Sequence, residues 1–291
     1  MARSRFQLAP WILLLPATVL LVAFTHYPAV MTMVKSLYRL PKGSRPAKFV
    51  GTEHYVSMIN DPVFWASLKN SMIYALGTVP MAIGLSMLMA IIVNSAIKGR
   101  SLMRMFFFLP TILPMIAVAN IWLFFYTPSY GLIDQFLSLF GFEQHNWLGD
   151  PDTALGSLMV TAIWKEAGFF MIFYLAALQQ MNPTLAEAAA LEGAGRWYFF
   201  RRVTFPLLMP TTLFVMINAI INSFRLIDHV IVLTRGGPDN ASTILLYYIY
   251  MVAFRYWDTA YASALTMVLL VILAGLAFIQ FGILDRKIHY K

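Results

Sequence analysis

Six long apolar runs dominate this sequence and restrict it to an integral membrane protein. Each run is long enough to cross about 30 Å of hydrocarbon as a helix that rises 1.5 Å per residue. The chain is 60% hydrophobic and only 12% charged, whereas a soluble protein carries about 25% charged residues. The sequence therefore predicts an all-α membrane protein with six transmembrane helices in a single domain, residues 1–291. The predicted spans are residues 9–34, 70–96, 103–126, 155–180, 203–224 and 261–284.

The first run follows Arg3 and Arg5, as the apolar part of a signal peptide would. However, the run is long, and no small-residue cleavage site follows residues 25–28. We therefore expect a first span that is retained.

The positions of lysine and arginine predict the orientation. With the N-terminus inside, the cytoplasmic segments hold 11 of the 21 cationic residues and the outer segments hold 8. The first outer loop opposes this bias, but the outer loop 127–154 has four acidic residues and no Lys or Arg. We therefore expect both termini in the cytoplasm. The net charge of +8 is interpreted as loops that face anionic lipid, and no nucleic-acid partner is expected.

Residues 182–202, between the fourth and fifth spans, form the one long polar, helix-forming insert in the second half of the chain. Asn182 can cap a helix and Pro183 suits its first position, while Glu187 lies near the positive end of the helix dipole. Gly193 and Gly195 then break the helix ahead of a basic, aromatic run. The residues alone predict a short cytoplasmic helix that ends in a bend, and they leave open an amphipathic surface helix that only joins two spans.

Glu187-Ala188-Ala189, the following Gly193 and the run 203–206 resemble in type and spacing the EAA loop of ABC-importer permeases. The continuation through Pro210 is similar to the carbohydrate-uptake branch, which includes maltose and glycerol-3-phosphate permeases. Residues 49–65 and 233–264 are also similar to segments of these permeases, so the resemblance covers nearly the whole chain. The sequence shows neither the extra N-terminal spans nor the large periplasmic insertion of the maltose-type subunit, so it resembles the glycerol-3-phosphate type more closely.

This resemblance implies a type I ABC importer permease fold in the bacterial cytoplasmic (inner) membrane. It implies as partners a second homologous permease, two ATP-binding subunits that hold ATP and Mg, and an extracytoplasmic solute-binding protein, with no cofactor on this chain. In that family the loop docks into a cleft on the ATPase subunit, and its arginines would also meet lipid headgroups. The residues so assigned to coupling are Glu187, Ala188, Ala189, Gly193, Gly195, Arg196, Arg201 and Arg202.

Polar residues at membrane depth are costly and are candidates for function. Trp164, Lys165 and Glu166 lie about ten residues into the fourth span, ~15 Å along its axis. Neighbouring positions diverge by about 100° around a helix, so Lys165 and Glu166 do not simply pair. We expect at least one of them to face a wet cavity; the alternative is a bridge to a partner subunit.

In the fifth span, Asn218, Asn222, Arg225 and Asp228 have the spacing of one helix face. Amides and carboxylates suit sugar hydroxyls, and an arginine would hold a phosphate, sulfonate or carboxylate. The competing interpretation is helix–helix contact through asparagine. The candidate solute pathway is Asn120, Trp164, Lys165, Glu166, Asn218, Asn222, Arg225 and Asp228.

Other features carry structural expectations. Pro110 and Pro114 should bend the third span, and His26 and His229 are expected to be solvated near the outer interface. A Walker A loop, HExxH, GxSxG and cysteine are all absent from the sequence, so we expect no enzyme and no metal site.

The predicted function is the transmembrane subunit of an ABC importer for a sugar or sugar-like solute. Arg225 and Lys165 favour an anionic one, such as glycerol-3-phosphate, a glycerophosphodiester or a sulfonated glycoside. One alternative is a membrane-embedded enzyme, but the sequence contains no set of catalytic residues. The other is an ion-gradient-driven secondary transporter with Lys165 and Glu166 as a proton relay. No inverted repeat supports the latter.

Overall fold

The computed structural model describes residues 8–39, 46–95, 98–280 and 282, which are mostly helical. Predictions about Arg3, Arg5 and the basic C-terminal tail lie outside these residues, as do the last residue of the predicted second span and most of residues 281–284. Contacts divide the chain into two units. One comprises Met1–Asp61 and Ile249–Val271, and the other Pro62–Tyr248 and Ile272–Lys291.

The smaller unit begins with a long helical segment that buries none of its apolar side chains. The segment Pro10–Lys35 has 26 residues, and none of its most apolar stretch is buried. Such a surface suits lipid or another subunit better than water. The elements of this segment and of the chain up to Asp61 are α1 (Leu8–Leu21), a π-helical turn (Val22–His26), α2 (Tyr27–Lys35), the antiparallel strands β1 (Tyr38–Arg39) and β2 (Lys48–Phe49), and α3 (Glu53–Ile59).

The larger unit is a helical bundle that holds the candidate functional residues. Its elements are α4 (Pro62–Asn94), α5 (Arg100–Ile112), α6 (Met115–Phe125), α7 (Leu132–Ser138), α8 (Pro151–Gln180), α9 (Thr184–Leu191), α10 (Arg196–Phe199), a π-helical turn (Phe200–Thr204), α11 (Phe205–Arg225) and α12 (Asp228–Leu233). Three further elements follow along the chain: α13 (Leu245–Tyr250), a π-helical turn (Met251–Arg255) and α14 (Thr259–Ile279). The turn and most of α14 belong to the smaller unit.

Helices α4, α8 and α11 pack around one apolar core. Phe170 and Tyr174 of α8 are fully buried in it with Leu208 of α11, next to small residues such as Ala90 of α4. Helix α5 also packs on α8, where a Cβ added to Gly168 would lie 2.0 Å from the carbonyl oxygen of Phe107. Small residues thus allow the helices to approach closely, as expected in a membrane bundle.

Two predicted spans begin earlier than the apolar runs suggest. Helix α4 starts at Pro62 instead of residue 70, and α8 starts at Pro151 instead of 155. Asp150 caps α8 by accepting a hydrogen bond from the backbone N–H of Asp152 at 2.9 Å. Polar residues thus extend α8 beyond its apolar part, whereas the extension of α4 over residues 62–69 is mostly apolar.

The third predicted span is not one continuous helix. Helices α5 and α6 are bent by 104° across residues 113 and 114. Pro114 disfavours helical geometry at the residue before it, and Leu113 accordingly has an extended ψ of 139°. The prediction of a bend at these prolines is confirmed, but the break is sharper than a kink. In the described residues five helices are long and apolar enough to cross a membrane, or six if the bent pair counts as one span.

The connection between α12 and α13 is a strained loop held by α4. Arg235, Asp239 and Asn240 have positive φ angles of 52°, 44° and 62°. Non-glycine residues adopt such angles at a cost, and only where their surroundings fix them. Asn70 of α4 supplies part of that restraint, because its amide donates hydrogen bonds to the carbonyls of Asn240 (2.8 Å) and Thr243 (3.0 Å).

Replacing Asn70 by aspartate should destabilise this loop, because a carboxylate cannot donate to the two carbonyls. Leaving buried acceptors unsatisfied costs about 1–3 kcal/mol. We expect a lower midpoint of thermal unfolding for the purified protein in detergent. Asn120→Asp is the matched control, since Asn120 is exposed and donates only to Ile116 of its own helix. Equal midpoints for the two variants would contradict the proposed restraint.

Candidate functional site

The loop after α8 begins with the predicted helix cap. The side-chain oxygen of Asn182 accepts a hydrogen bond from the backbone N–H of Thr184 at 3.1 Å. Helix α9 follows, with Glu187 in its first turn and no buried residue. Glu187 and Ala188 are exposed, and Ala189 is half-buried. The segment thus forms a short helix whose side chains, including that of Glu187, are not buried in the bundle.

Gly193 provides the turn that ends α9. Its φ is +74°, a left-handed conformation that glycine adopts without steric cost. The backbone N–H of Gly193 bonds the carbonyl of Ala190, and that of Ala194 bonds the carbonyl of Ala189. These two bonds form a Schellman motif, which satisfies the last carbonyls of the helix. Gly195 has an ordinary extended conformation (φ −67°, ψ 154°), so the left-handed turn depends on Gly193 alone.

The rest of the loop is basic and aromatic. Arg196 opens α10 and lines an open cleft of about 470 Å³ between this loop and the ends of α4 and α8. Arg201 and Arg202 are exposed in the following π-helical turn, where the guanidinium of Arg202 lies 6.0 Å from the ring centre of Tyr198. Large apolar side chains are exposed here as well, with Leu191 at 91% and Trp197 at 72% exposure.

A second site lies within the bundle, where α4, α8 and α11 meet. Glu166 of α8 accepts hydrogen bonds from the amide of Asn222 of α11, at 3.2 and 3.4 Å to its two carboxyl oxygens. Both residues line a narrow pocket whose cavity volume of about 10 Å³ admits about one water molecule. Its polar lining is completed by Tyr74 and Thr78 of α4 and by Ser223 of α11.

Glu166 therefore has features of both predicted alternatives, an interhelical bridge and a group that faces a polar cavity. It bridges two helices, as a structural interpretation requires, but its partner belongs to this chain. It also lines a polar pocket, as the cavity interpretation requires. The sequence could not reveal the pairing, because Glu166 and Asn222 are 56 positions apart.

His229 is buried, and the expectation that it is solvated is wrong. Its exposure is 0%, and its Nε2 lies 2.9 Å from the hydroxyl oxygen of Tyr74. Helix α11 ends at Arg225, Leu226 has an extended ψ of 112°, and a new helix begins at Asp228. This change of direction carries His229 inwards. His26, in contrast, is exposed as expected.

The same break removes Asp228 from the predicted polar face. Asn218 and Asn222 share α11 with Arg225, but Asp228 belongs to α12, so a continuous stripe of four residues is not formed. Asn218 donates to the carbonyl of Phe214 in its own helix, at 2.8 Å. Arg225 is exposed and does not line the pocket.

The remaining candidates do not line the pocket. Lys165 is half-buried, and Asn120 is exposed on α6. Trp164 packs edge-to-face against Trp122, with ring centres 5.7 Å apart. Of the eight predicted pathway residues, the structure thus brings only Glu166 and Asn222 together in the pocket.

Sequence reasoning missed Tyr74, Thr78 and Ser223. Each is a hydroxyl-bearing residue within an apolar run, and a single hydroxyl is a weak signal because its own helix can satisfy it. Thr78, for example, donates to the carbonyl of Tyr74 at 2.6 Å. Among the described residues, no group of three or more His, Asp or Glu side chains could hold a metal ion.

Comparison with known proteins identifies relatives over almost the whole chain. The lactose transport system permease protein LacF of Rhizobium radiobacter is 34% identical over 93% of this chain and 92% of its own length. The sulfoquinovosyl glycerol transport system permease protein SmoG of Agrobacterium fabrum is 33% identical over 89% of this chain and 84% of its own length.

A solved structure supports the same fold. It is that of a bacterial alginate ABC transporter in complex with a periplasmic protein bound to an alginate pentasaccharide. One of its chains matches with a TM-score of 0.85 at 23% identity, over 96% of this chain and 94% of that one. The family described as the inner membrane component of binding-protein-dependent transport systems matches residues 82–290. The chain therefore belongs to this family of ABC transporter permeases, and it is a transport subunit and not an enzyme.

Proposed function

We propose that this chain is one transmembrane subunit of a binding-protein-dependent importer that carries a sugar or sugar-like solute across the bacterial cytoplasmic membrane. Family membership and the sugar-related names of the relatives support this solute class. The observation that carries the proposal is the exposed helix α9 with its glycine turn at Gly193, which is built to contact another protein.

The proposed partners are a second homologous permease, two ATP-binding subunits and an extracytoplasmic binding protein. The last is supported by the alginate transporter, whose title describes a complex with a periplasmic protein. ATP and Mg would bind the ATPase subunits. With both termini in the cytoplasm, residues 182–202 lie on the side of the membrane where ATPase subunits are found.

The proposed mechanism is alternating access. Closure of the ATPase pair moves α9, which is joined to α8 before it and to α11 after it. Glu166 lies on α8 and Asn222 lies on α11. A movement of the loop can therefore shift these two helices and change the pocket between them. The pocket admits about one water in this conformation, so α4, α8 and α11 must separate before a sugar can pass.

Exposed apolar side chains near the glycine turn also support contact between this loop and an ATPase subunit. Leu191 and Trp197 flank the glycine turn and would be costly in water unless a partner covers them. Glu187 can make polar contacts with the ATPase, and the exposed Arg201 and Arg202 can contact it or anionic lipid headgroups. The exposed helix α9 and its glycine turn favour an importer with partner subunits over a stand-alone secondary transporter, which has no need of such a loop.

The test is to purify the transporter through a tag on this chain and to reconstitute it in lipid. ATPase activity is then measured with and without the binding protein and a panel of neutral and anionic sugars. We expect an ATPase to co-purify and one loaded binding protein to stimulate it. Purification of the chain alone, without ATPase activity, would contradict the proposal.

A further inference from the structure

In the part of the chain that the structure describes, the pocket between α4, α8 and α11 is lined by an acidic residue and by no basic one, which affects the charge of the solute that it can bind. Among the described residues that line it, Glu166 is the single carboxylic acid, and no Lys, Arg or His is present. The other polar groups are the amide of Asn222 and the hydroxyls of Tyr74, Thr78 and Ser223. Every one of these groups can accept a hydrogen bond, and none carries a positive charge.

The two cations that favoured an anionic solute lie elsewhere. Lys165 precedes Glu166 on α8 and therefore diverges from it by about 100° around the helix. Arg225 lies at the end of α11, with an exposed side chain. Neither contributes to the pocket lining. An anionic solute in this pocket would thus meet the carboxyl oxygens of Glu166 with no cation among the lining residues that the structure describes.

The geometry also shows how a solute can replace an internal contact. Asn222 donates to both carboxyl oxygens of Glu166 at 3.2 and 3.4 Å, which are long bonds for a donor to a carboxylate. A hydroxyl or ammonium group of a solute is a better donor to Glu166. When it binds, the amide of Asn222 becomes free to contact a second oxygen of the same sugar.

We propose that Glu166 makes this subunit select neutral or amino-bearing sugars and reject anionic ones. The inference rests on the proposed importer function and specifies the solute class of the pocket. Like charges placed together without a counterion disfavour binding strongly, so discrimination of about tenfold or more against an acid sugar is expected.

The experiment uses three sugars with the same ring: glucose, glucosamine and glucuronate. Their dissociation constants are measured by equilibrium dialysis at neutral pH with the complete transporter in lipid nanodiscs, without the binding protein, so that only the membrane subunits select. Glucuronate should bind about tenfold or more weakly than glucose, and glucosamine at least as tightly as glucose.

Glu166→Gln is the informative variant, because glutamine keeps the size of the side chain and its carbonyl oxygen still accepts from Asn222. The glucuronate-to-glucose ratio should fall to about threefold or less, since the like-charge repulsion is removed. Asp152→Asn is the matched control. It removes one carboxylate from the same helix at an exposed position outside the pocket, so the ratio should be unchanged.

Two results would overturn the inference: equal binding of glucose and glucuronate to the unmodified transporter, or an unchanged ratio in Glu166→Gln. Absence of binding by all three sugars would also contradict it. Stimulation of ATPase activity by a loaded binding protein is measured on the same preparation. If that stimulation persists, the importer function stands and only the assignment of the pocket fails.

Discussion

Replacing Gly193 by valine is expected to reduce binding-protein-dependent uptake about tenfold or more. A β-branched residue at φ +74° is strained by about 1–3 kcal/mol, and about 1.4 kcal/mol corresponds to a factor of ten in the population of the native turn. The Schellman motif that ends α9 would be lost, and Glu187 would no longer be held in position for a partner. The measurement is the initial rate of solute uptake into proteoliposomes containing ATP.

Gly193→Asn is the matched control, because asparagine tolerates the left-handed conformation. The site has room for it, since a Cβ on Gly193 would meet no atom within 4 Å. Uptake should therefore remain above about half of the original rate. If valine and asparagine reduce uptake equally, the backbone conformation at Gly193 is not what coupling requires.

Replacing Asn222 by leucine should reduce both uptake and stability. Leucine cannot donate to Glu166, and a buried acceptor left without its donor costs about 1–3 kcal/mol, more for a charged group. We expect a lower midpoint of thermal unfolding in detergent and an uptake rate reduced about fivefold or more. Co-purification with the ATPase should persist, because residues 182–202 are unchanged.

Asn218→Leu separates this effect from a general intolerance of α11 to leucine. Asn218 lies one turn before Asn222, but its amide bonds the carbonyl of Phe214 in the same helix. Its replacement removes no contact between helices, so the unfolding midpoint should change little. A larger loss of stability in Asn218→Leu than in Asn222→Leu would contradict the Glu166–Asn222 bridge.

The regular parts of the fold were predictable because the bilayer demands them. Apolar runs of about 20 residues must be helices when backbone groups have no water to bond. The loop after α8 was also predictable, since a capping asparagine, an alanine-rich stretch and a left-handed glycine are local signals. The hydrogen bonds at Asn182 and Gly193 join residues that are at most five positions apart, so they can be predicted from the local sequence.

The interior of the pocket was less predictable, because its contacts join distant positions. Tyr74 meets His229 across 155 positions, and that pairing follows from the packing of α4 against the segment after α11. Helical spacing predicted that Asp228 shares a helix face with Asn222. However, α11 ends at Arg225 and Leu226 is extended, so the helical spacing does not continue to Asp228. The sharp break at Leu113 similarly accompanies the separate contacts of α5 with α8 and of α6 with α12, and two prolines alone signal only a bend.

The first helical segment has a consequence for biogenesis. Because Pro10–Lys35 buries none of its most apolar stretch within this chain, that stretch is available to lipid or to another subunit in the bilayer. It can therefore insert as soon as it leaves the ribosome, before the residues of the bundle have been synthesised. In multi-span proteins a first span usually sets the orientation that later spans inherit.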